Sequence, residues 1–391
     1  MRRLAILLVW LAAGLATATA TDRATDNGSE TLPLNIFSGE HQNGHIQGIT
    51  LDAERGHFYF SFTTKLVKTD LAGNIIGSVS GLLGHLGCID FNAAERRIYG
   101  SLEYKDDVIG RGVLSDAKSN RRFDSAAFYI AIFDVDKIDR CDMSAERDGV
   151  MRTIYLPTVV EDFGAKVSLN GKTVEHRFGC SGIDGVTFGP RFGKRDGKHY
   201  LTVAYGIYFD KERSDNDCQV LLQYDTEGWA ESAQPLSHDN LHRTSPKQAP
   251  QRYFVRTGNT NWGVQNLEYD AHTNLWFLAV YRGSKEQFTP FDYFIVDGSA
   301  KPCKCRLEGY DYLTSRQSLL PLAELGEQGK ESICGFRFEY GATGLHSNGD
   351  GTFYISHPHR NPKNRKIQSC NARLYRLAAK GEKLFEKIEK R

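Results

Sequence analysis

The stretch Gly44-His-Ile-Gln-Gly-Ile-Thr-Leu-Asp52 is echoed forty positions later by Gly84-His-Leu-Gly-Cys-Ile-Asp-Phe-Asn92. Three more stretches follow the same scheme: a small or polar residue, a Gly, then an alternating apolar run that ends in Asp, Asn or Gly. Ser181-Gly-Ile-Asp-Gly-Val-Thr-Phe-Gly189 fits throughout. Trp262-Gly-Val-Gln-Asn-Leu-Glu-Tyr-Asp270 has Asn266 in place of the Gly, and Gly341-Ala-Thr-Gly-Leu-His346 fits over its first half. Each is followed by a run rich in aromatic and β-branched residues, the composition of a half-buried strand: HFYFSFT from His57, RRIYGSLEY from Arg96, HYLTVAYGIYF from His199, LWFLAVYRG from Leu275 and TFYISH from Thr352. Third runs begin at Lys65, Phe128, Gln219, Asp292 and Ala372, and fourth runs at Asn74, Met151 and Arg252.

A strand unit repeated with variable polar loops is the pattern of a β-propeller, and the count predicts an all-β, five-bladed one. A doubly wound fold would need amphipathic helices between the strands, and a two-sheet sandwich would not repeat its first strand. A sixth blade would have to come from 167–176. There Asn170-Gly171 reads instead as the turn of an inserted hairpin, since no Gly-led first strand accompanies it. The domain spans 21–391, with insertions near 105–125, 157–178 and 233–250. Ring closure requires one more strand for the last blade, because an open ring leaves an unpaired edge. Leu34 to Phe37 or Leu384 to Ile388 can supply it, the N-terminal segment being the more β-like.

Met1-Arg2-Arg3, the apolar run Leu4 to Leu15 and the Ala18-Thr19-Ala20 site read as a removable signal peptide over 1–20, hence a secreted or periplasmic protein with no membrane span in the mature chain. Without Arg2 and Arg3 the chain carries 47 basic against 48 acidic residues and no long run of one sign, which excludes nucleic acid as a partner. The eight cysteines predict disulfides in an oxidising compartment; their 105 connectivities are not separable by spacing. Cys303-Lys304-Cys305 has no second thiol or His pair at zinc spacing, so it too reads as structural.

In a propeller the first strands line a central channel, and residues at their entry and at the ends of the second strands converge on one mouth. His45, His85, Glu103, Asp184, Tyr208, Arg282 and His357 are the candidates, drawn from all five blades and including acid, base and cation. Any one of them alone reads rather as a satisfied strand cap. As a set they allow three chemistries. Glu103 and Asp184 can act as a carboxylate pair in glycoside hydrolysis. His45, His85, His357 and Asp184 can hold one divalent metal ion. A His with Tyr208 can move a proton beside a sugar carboxylate held by Arg282.

The stretch GIDGVTFGP from Gly182 resembles the opening strand of exported propellers of the gluconolactonase, strictosidine synthase and NHL type. That resemblance implies a channel-centred site. In gluconolactonase-like enzymes it also implies a calcium ion held by a Glu with Asn and Asp residues on inner strands; Gln47 stands here where an acid would serve, while Asp184 and Asn266 remain. The expected function is an exported hydrolase or lyase acting on a carbohydrate or similar oxygen-rich small molecule, the alternative being a propeller that binds such a ligand without turnover.

Overall fold

Five antiparallel sheets surround a common channel in the computed structural model, which describes residues 32–378, 381 and 383–389. The proposed signal peptide and the Asn27-Gly28-Ser29 sequon lie outside the described residues. Blade 1 consists of Ile46–Asp52, His57–Phe62, Lys65–Asp70 and Ile75–Ser80, from the channel outward. Blade 2 consists of His85–Asn92, Arg97–Tyr104, Ala127–Asp134 and Met151–Tyr155, and blade 3 of Cys180–Gly189, Tyr200–Ile207, Cys218–Tyr224 and Gln251–Arg256. Blade 4 has three strands, Thr260–Asp270, Leu275–Arg282 and Tyr293–Asp297. Its outer edge is covered only by single bridges from Leu322 and Phe336. Blade 5 begins with the short Leu345–Ser347 and continues through Thr352–Arg360 and Gln368–Leu377.

Both expected closing segments are used. Asn35–Phe37 pairs with Asn371 to Arg373, and Phe385–Lys387 pairs with Tyr375 to Leu377, so the two share the outer edge of one strand. Sequence comparison of the two segments misses this because each is short enough to cover only part of a ten-residue strand. The ring is thus tied by both ends of the described chain, leaving little of that edge unpaired.

Apolar cores lie between neighbouring blades. Phe128, Ile183 and Val203 pack between blades 2 and 3, Leu267 and Trp276 against Leu221 between blades 3 and 4, and Phe277 against Phe353 and Phe385 between blades 4 and 5. Inner strands come so close that a side chain on Gly48 would put its Cβ 2.8 Å from the backbone nitrogen of Ile89, and one on Gly185 would put it 3.0 Å from Leu267 Cβ. The repeated glycine is therefore a packing requirement of the channel.

The segment expected as an inserted hairpin folds as Lys166–Leu169 and Lys172–Glu175, with Asn170 and Gly171 both at positive φ, a two-stranded sheet apart from the five blades. The 105–125 segment, read from sequence as a polar loop, contains a helix, Val108–Asp116. Asp107 caps it by accepting from Gly110 N at 2.8 Å, and burial of Val113 and Leu114 offsets the poor propensity of Gly110 and Gly112.

The disulfides expected from the cysteine count do not form: all eight cysteines are free thiols. Cys88, Cys180, Cys218 and Cys370 are buried in strands of blades 2, 3 and 5, Cys180 and Cys218 on different strands of blade 3, and pack as small apolar side chains. The Cys88 thiol donates to Val186 O at 3.4 Å. Among the described residues no helix is long and apolar enough to cross a membrane.

The closure makes a direct prediction. Ile36 is fully buried against blade 5, whereas its neighbour Phe37 is 40% exposed. Ile36→Ala should cost about 2–4 kcal/mol in denaturant unfolding and Phe37→Ala under about 1 kcal/mol.

Candidate functional site

The inner strands of blades 1 to 4 all carry a register shift at the same level. It falls between Ile46 and Gly48, Leu86 and Ile89, Ile183 and Val186, and Val264 and Asn266. Each is a β-bulge, in which one extra residue leaves the ladder and the strand turns. The residues in the bulges include Gln47, Gly87, Asp184 and Gln265, and the side chains of Gln47, Asp184 and Gln265 all line the same cavity. Bulge carbonyls are satisfied from other blades. Gly87 O accepts from Ser61 Oγ at 2.7 Å, Asp184 O from Ser101 Oγ at 2.7 Å, and Gln47 O from Asn266 Nδ2 at 2.9 Å.

The cavity has a volume of about 950 Å³ and opens where the chain enters the first strands and leaves the second strands. At its floor the two echoed histidines meet through one amide. Gln47 Nε2 donates to His45 Nε2 at 3.1 Å and to His85 Nε2 at 3.0 Å. Both Nε2 atoms therefore act as acceptors, which places each ring proton on Nδ1. His45 Nδ1 donates to Ile46 O at 2.8 Å. His85 Nδ1 is buried without a hydrogen bond and lies 3.9 Å from Glu103 Oε1 and 4.0 Å from Asp184 Oδ1.

Glu103 faces His85 directly across the blade 2 ladder. It is only 4% exposed, and its charge is met by Lys105 Nζ at 2.6 Å and by Ile183 N, which donates to Oε2 at 3.2 Å. Lys105 donates further to Ser181 O at 2.6 Å and lies 3.4 Å from Asp107 Oδ2. Gly182, at φ +139°, is required here, since any Cβ would strike Glu103 Oε2. Asp184 accepts from Gln265 Nε2 at 3.1 Å on Oδ2, leaving Oδ1 toward His85.

Burial raises both floor carboxyls, Glu103 against the opposing pull of Lys105 and of the Ile183 amide. Burial, and then the charge of Glu103, hold the Asp184 carboxyl well above the usual carboxylate range, against the opposing pull of Lys105 and Gln265. Burial opposes the charge on Lys105, but Glu103 and Asp107 reverse that and keep its ammonium firmly protonated. Burial lowers His85 to about 3, with Lys105 and His45 adding to the effect. Tyr281, at the cavity wall, is raised to about 12 by burial and by Asp184.

Of the seven residues singled out from sequence, His45, His85, Glu103 and Asp184 line the cavity; Tyr208, Arg282 and His357 do not. Tyr208 lies behind the floor, donating to Asp107 Oδ2 at 3.2 Å. Arg282 makes a two-point ion pair with Asp292, at 2.7 Å for each contact, on the outside of blade 4. His357 points away from the channel, bonding Tyr375 OH at 2.9 Å, with its ring tilted against Tyr340 at a centroid distance of 3.8 Å. Strand alternation explains the last two, because adjacent residues face opposite sides. Tyr281 takes the inward place beside Arg282, and Arg360 takes it three residues beyond His357. Lys105, Arg360, Arg365 and Lys366 line the cavity without having been expected. Lys105 was legible as part of the alternation Glu103-Tyr104-Lys105; Arg360 ends a strand, and Arg365 and Lys366 sit in the following turn, whose direction no local pattern gives.

The residues do not fit a metal. His357 is remote from the other three proposed ligands, and among the described residues no group of three His, Cys, Asp or Glu side chains is arranged to hold an ion. The calcium arrangement implied by the gluconolactonase resemblance fits no better. Gln47 turns its amide nitrogen to the histidines and Asn266 gives its own to two backbone carbonyls, leaving one orphan oxygen, Asn266 Oδ1.

No protein-family model matches this chain, and no curated protein sequence is similar to it. Among solved structures, the soluble aldose sugar dehydrogenase of Escherichia coli is 10% identical, with 86% of this chain and 98% of that chain covered at a TM-score of 0.35. The hydrazine synthase of Kuenenia stuttgartiensis is 10% identical over 79% of this chain and 80% of that one, at a TM-score of 0.35. The β-propeller domain of Cps50 (Swd1) from Myceliophteria thermophila is 10% identical over 86% and 99%, at 0.30. These are distant likenesses among β-propellers, and the chain is assigned to no family by them.

Two predictions test the floor. Lys105→Met leaves two buried carboxyls without their cation and should cost about 3–5 kcal/mol, most of it recovered in Lys105→Met/Glu103→Gln. The double-mutant cycle measured by denaturant unfolding checks this. His85 should show no imidazole titration by NMR between pH 8 and pH 5, since its folded value is near 3. The unfolded chain takes up that proton near pH 6.5, so the stability linked to His85 is fully present above that pH and is lost as pH falls toward 3.

Proposed function

We propose that this propeller is a hydrolase or lyase acting on a carbohydrate or similar oxygen-rich small molecule, with Asp184 as the general acid. The supporting observation is the pairing of two buried carboxyls in one cavity, with Glu103 ion-paired to Lys105 and Asp184 held toward its neutral form. Two carboxyls with unequal partners, an ammonium on one and an amide on the other, are an arrangement in which one donates a proton while the other stays charged. Protonation of a departing oxygen is common to glycoside hydrolysis and to elimination from a sugar, so the Asp184 proton serves either. Glu103 and His85 are positioning residues in this reading, since neither has a free polar atom turned to the cavity mouth.

Of the three chemistries the sequence allows, only the carboxylate pair is assembled; Arg282 and His357 are engaged elsewhere. The similarity of GIDGVTFGP to gluconolactonase-type propellers is consistent with a channel-centred site, without their calcium. The basic, apolar and A-x-A segments of 1–20 support action outside the cytoplasm. A second reading, ligand recognition without turnover, is favoured by the mutual satisfaction of Glu103 and Lys105, which leaves one acid free for chemistry.

Turnover on a panel of glycosides and polysaccharides decides between them. Asp184→Asn should lower kcat/KM at least about 100-fold on any substrate found, with the fold retained by circular dichroism. Wild-type activity should decline as pH rises, because a general acid is lost on deprotonation. Activity retained within about twofold in Asp184→Asn would remove the assignment.

A further inference from the structure

Five basic side chains line the cavity, Lys105, Lys118, Arg360, Arg365 and Lys366, against three acidic ones, Glu103, Asp116 and Asp184. Pairing removes most of these charges. Lys105 is matched with Glu103, Lys366 reaches Asp116 at 3.5 Å, and Asp184 is held toward its neutral form. Arg360, Arg365 and Lys118 remain, with no ion-pair partner among the described residues. Arginines elsewhere show what a paired guanidinium looks like here: Arg213 with Asp215 and Arg282 with Asp292 each make two-point contacts.

The two mouth arginines are placed by a built turn. Arg360 ends the second strand of blade 5, opposite Gln368. The connection between them is closed by Asn361 N donating to Ile367 O at 3.0 Å, while Asn361 Oδ1 accepts from Lys363 N and Asn364 N. Gln368 exchanges backbone hydrogen bonds with His41, and its side chain donates to Arg365 O at 3.1 Å. The turn is thereby fixed against the segment that leads into His45, and Arg360 is near enough to lower the His45 imidazole further. Below the arginines the wall offers Thr63, Ser181 and Gln265 as hydrogen-bonding groups, with Trp262 and Tyr281 as flat apolar faces.

We infer that the ligand of this cavity is an acidic monosaccharide unit, its carboxylate or phosphate seated by Arg360 and Arg365 at the mouth and its hydroxyl-bearing ring directed toward Asp184. Two guanidiniums that line the open cavity without carboxylate partners supply planar donors of the kind such an anion takes. Hydroxyls, amides and aromatic faces beneath them suit a sugar ring. The inference rests on reading the cavity as a saccharide site and adds the charge of the saccharide.

Titration calorimetry on the full chain carrying Asp184→Asn, which removes turnover, tests it with D-galacturonate, D-galactose 6-phosphate and D-galactose as probes. At least one of the acids should bind about tenfold or more tighter than galactose. Arg360→Ala/Arg365→Ala in the same background should abolish that preference while leaving galactose binding unchanged; the acid that binds better identifies the anion. Equal binding of all three, or an acid preference that survives the double arginine variant, overturns the inference and leaves the saccharide reading standing. Absence of binding by all three overturns both.

Discussion

The β-bulge at one level of four inner strands is the constraint on which the rest depends. A regular ladder would send every second side chain into the packing between blades and leave nothing polar facing the channel at that height. One extra residue per strand releases a side chain and a carbonyl together. The side chains of Gln47, Asp184 and Gln265 become the floor of the cavity, while the carbonyls of Gln47, Gly87 and Asp184 are satisfied by Asn266, Ser61 and Ser101. Because those hydrogen bonds run from one blade to another, the irregularity that makes the site also helps to fix the blades in their ring.

Charge buried at the floor is tolerated through partners supplied at short range. An uncompensated carboxylate in such a place costs several kcal/mol, so Glu103 is accompanied by Lys105 at 2.6 Å and by the Ile183 amide. Burial, and then the neighbouring Glu103, outweigh Lys105 and the Gln265 amide at Asp184, so the balance favours its neutral form. The histidines avoid charge altogether. A single glutamine donates to both, and their burial keeps the imidazoles neutral. The result is a floor with one carboxylate–ammonium pair, a second carboxyl held toward its neutral form and two neutral imidazoles.

Much of this was legible in the sequence. The echo at Gly44 and Gly84, with its three fainter copies, led to five blades because inner strands packed this closely demand glycine at Gly48 and Gly185. The same echo put His45 and His85 together, and the position of Asp184 in its copy of the motif marked it as a residue of the channel mouth. What escaped depends on longer range. The facing of His357, Arg282 and Arg360 turns on strand parity near a strand end, which a one-residue error reverses. The helix Val108–Asp116 has two glycines and gains its stability from tertiary burial. Eight cysteines in a chain with a signal-like start suggested crosslinks, whereas four of them are buried core side chains with free thiols.

The account turns on Asp184 holding its proton because it is buried beside a charged Glu103. The direct measurement is a carbon-13 NMR titration of the aspartate carboxyls, with Asp184 assigned by its loss in Asp184→Asn, in wild type and in Glu103→Gln. Wild type should show a carboxyl titrating well above the ordinary value of about 3.9, and Glu103→Gln should move it down, since the neighbouring negative charge is gone while Lys105 remains. An Asp184 resonance that titrates at the ordinary value, unchanged by Glu103→Gln, would contradict it.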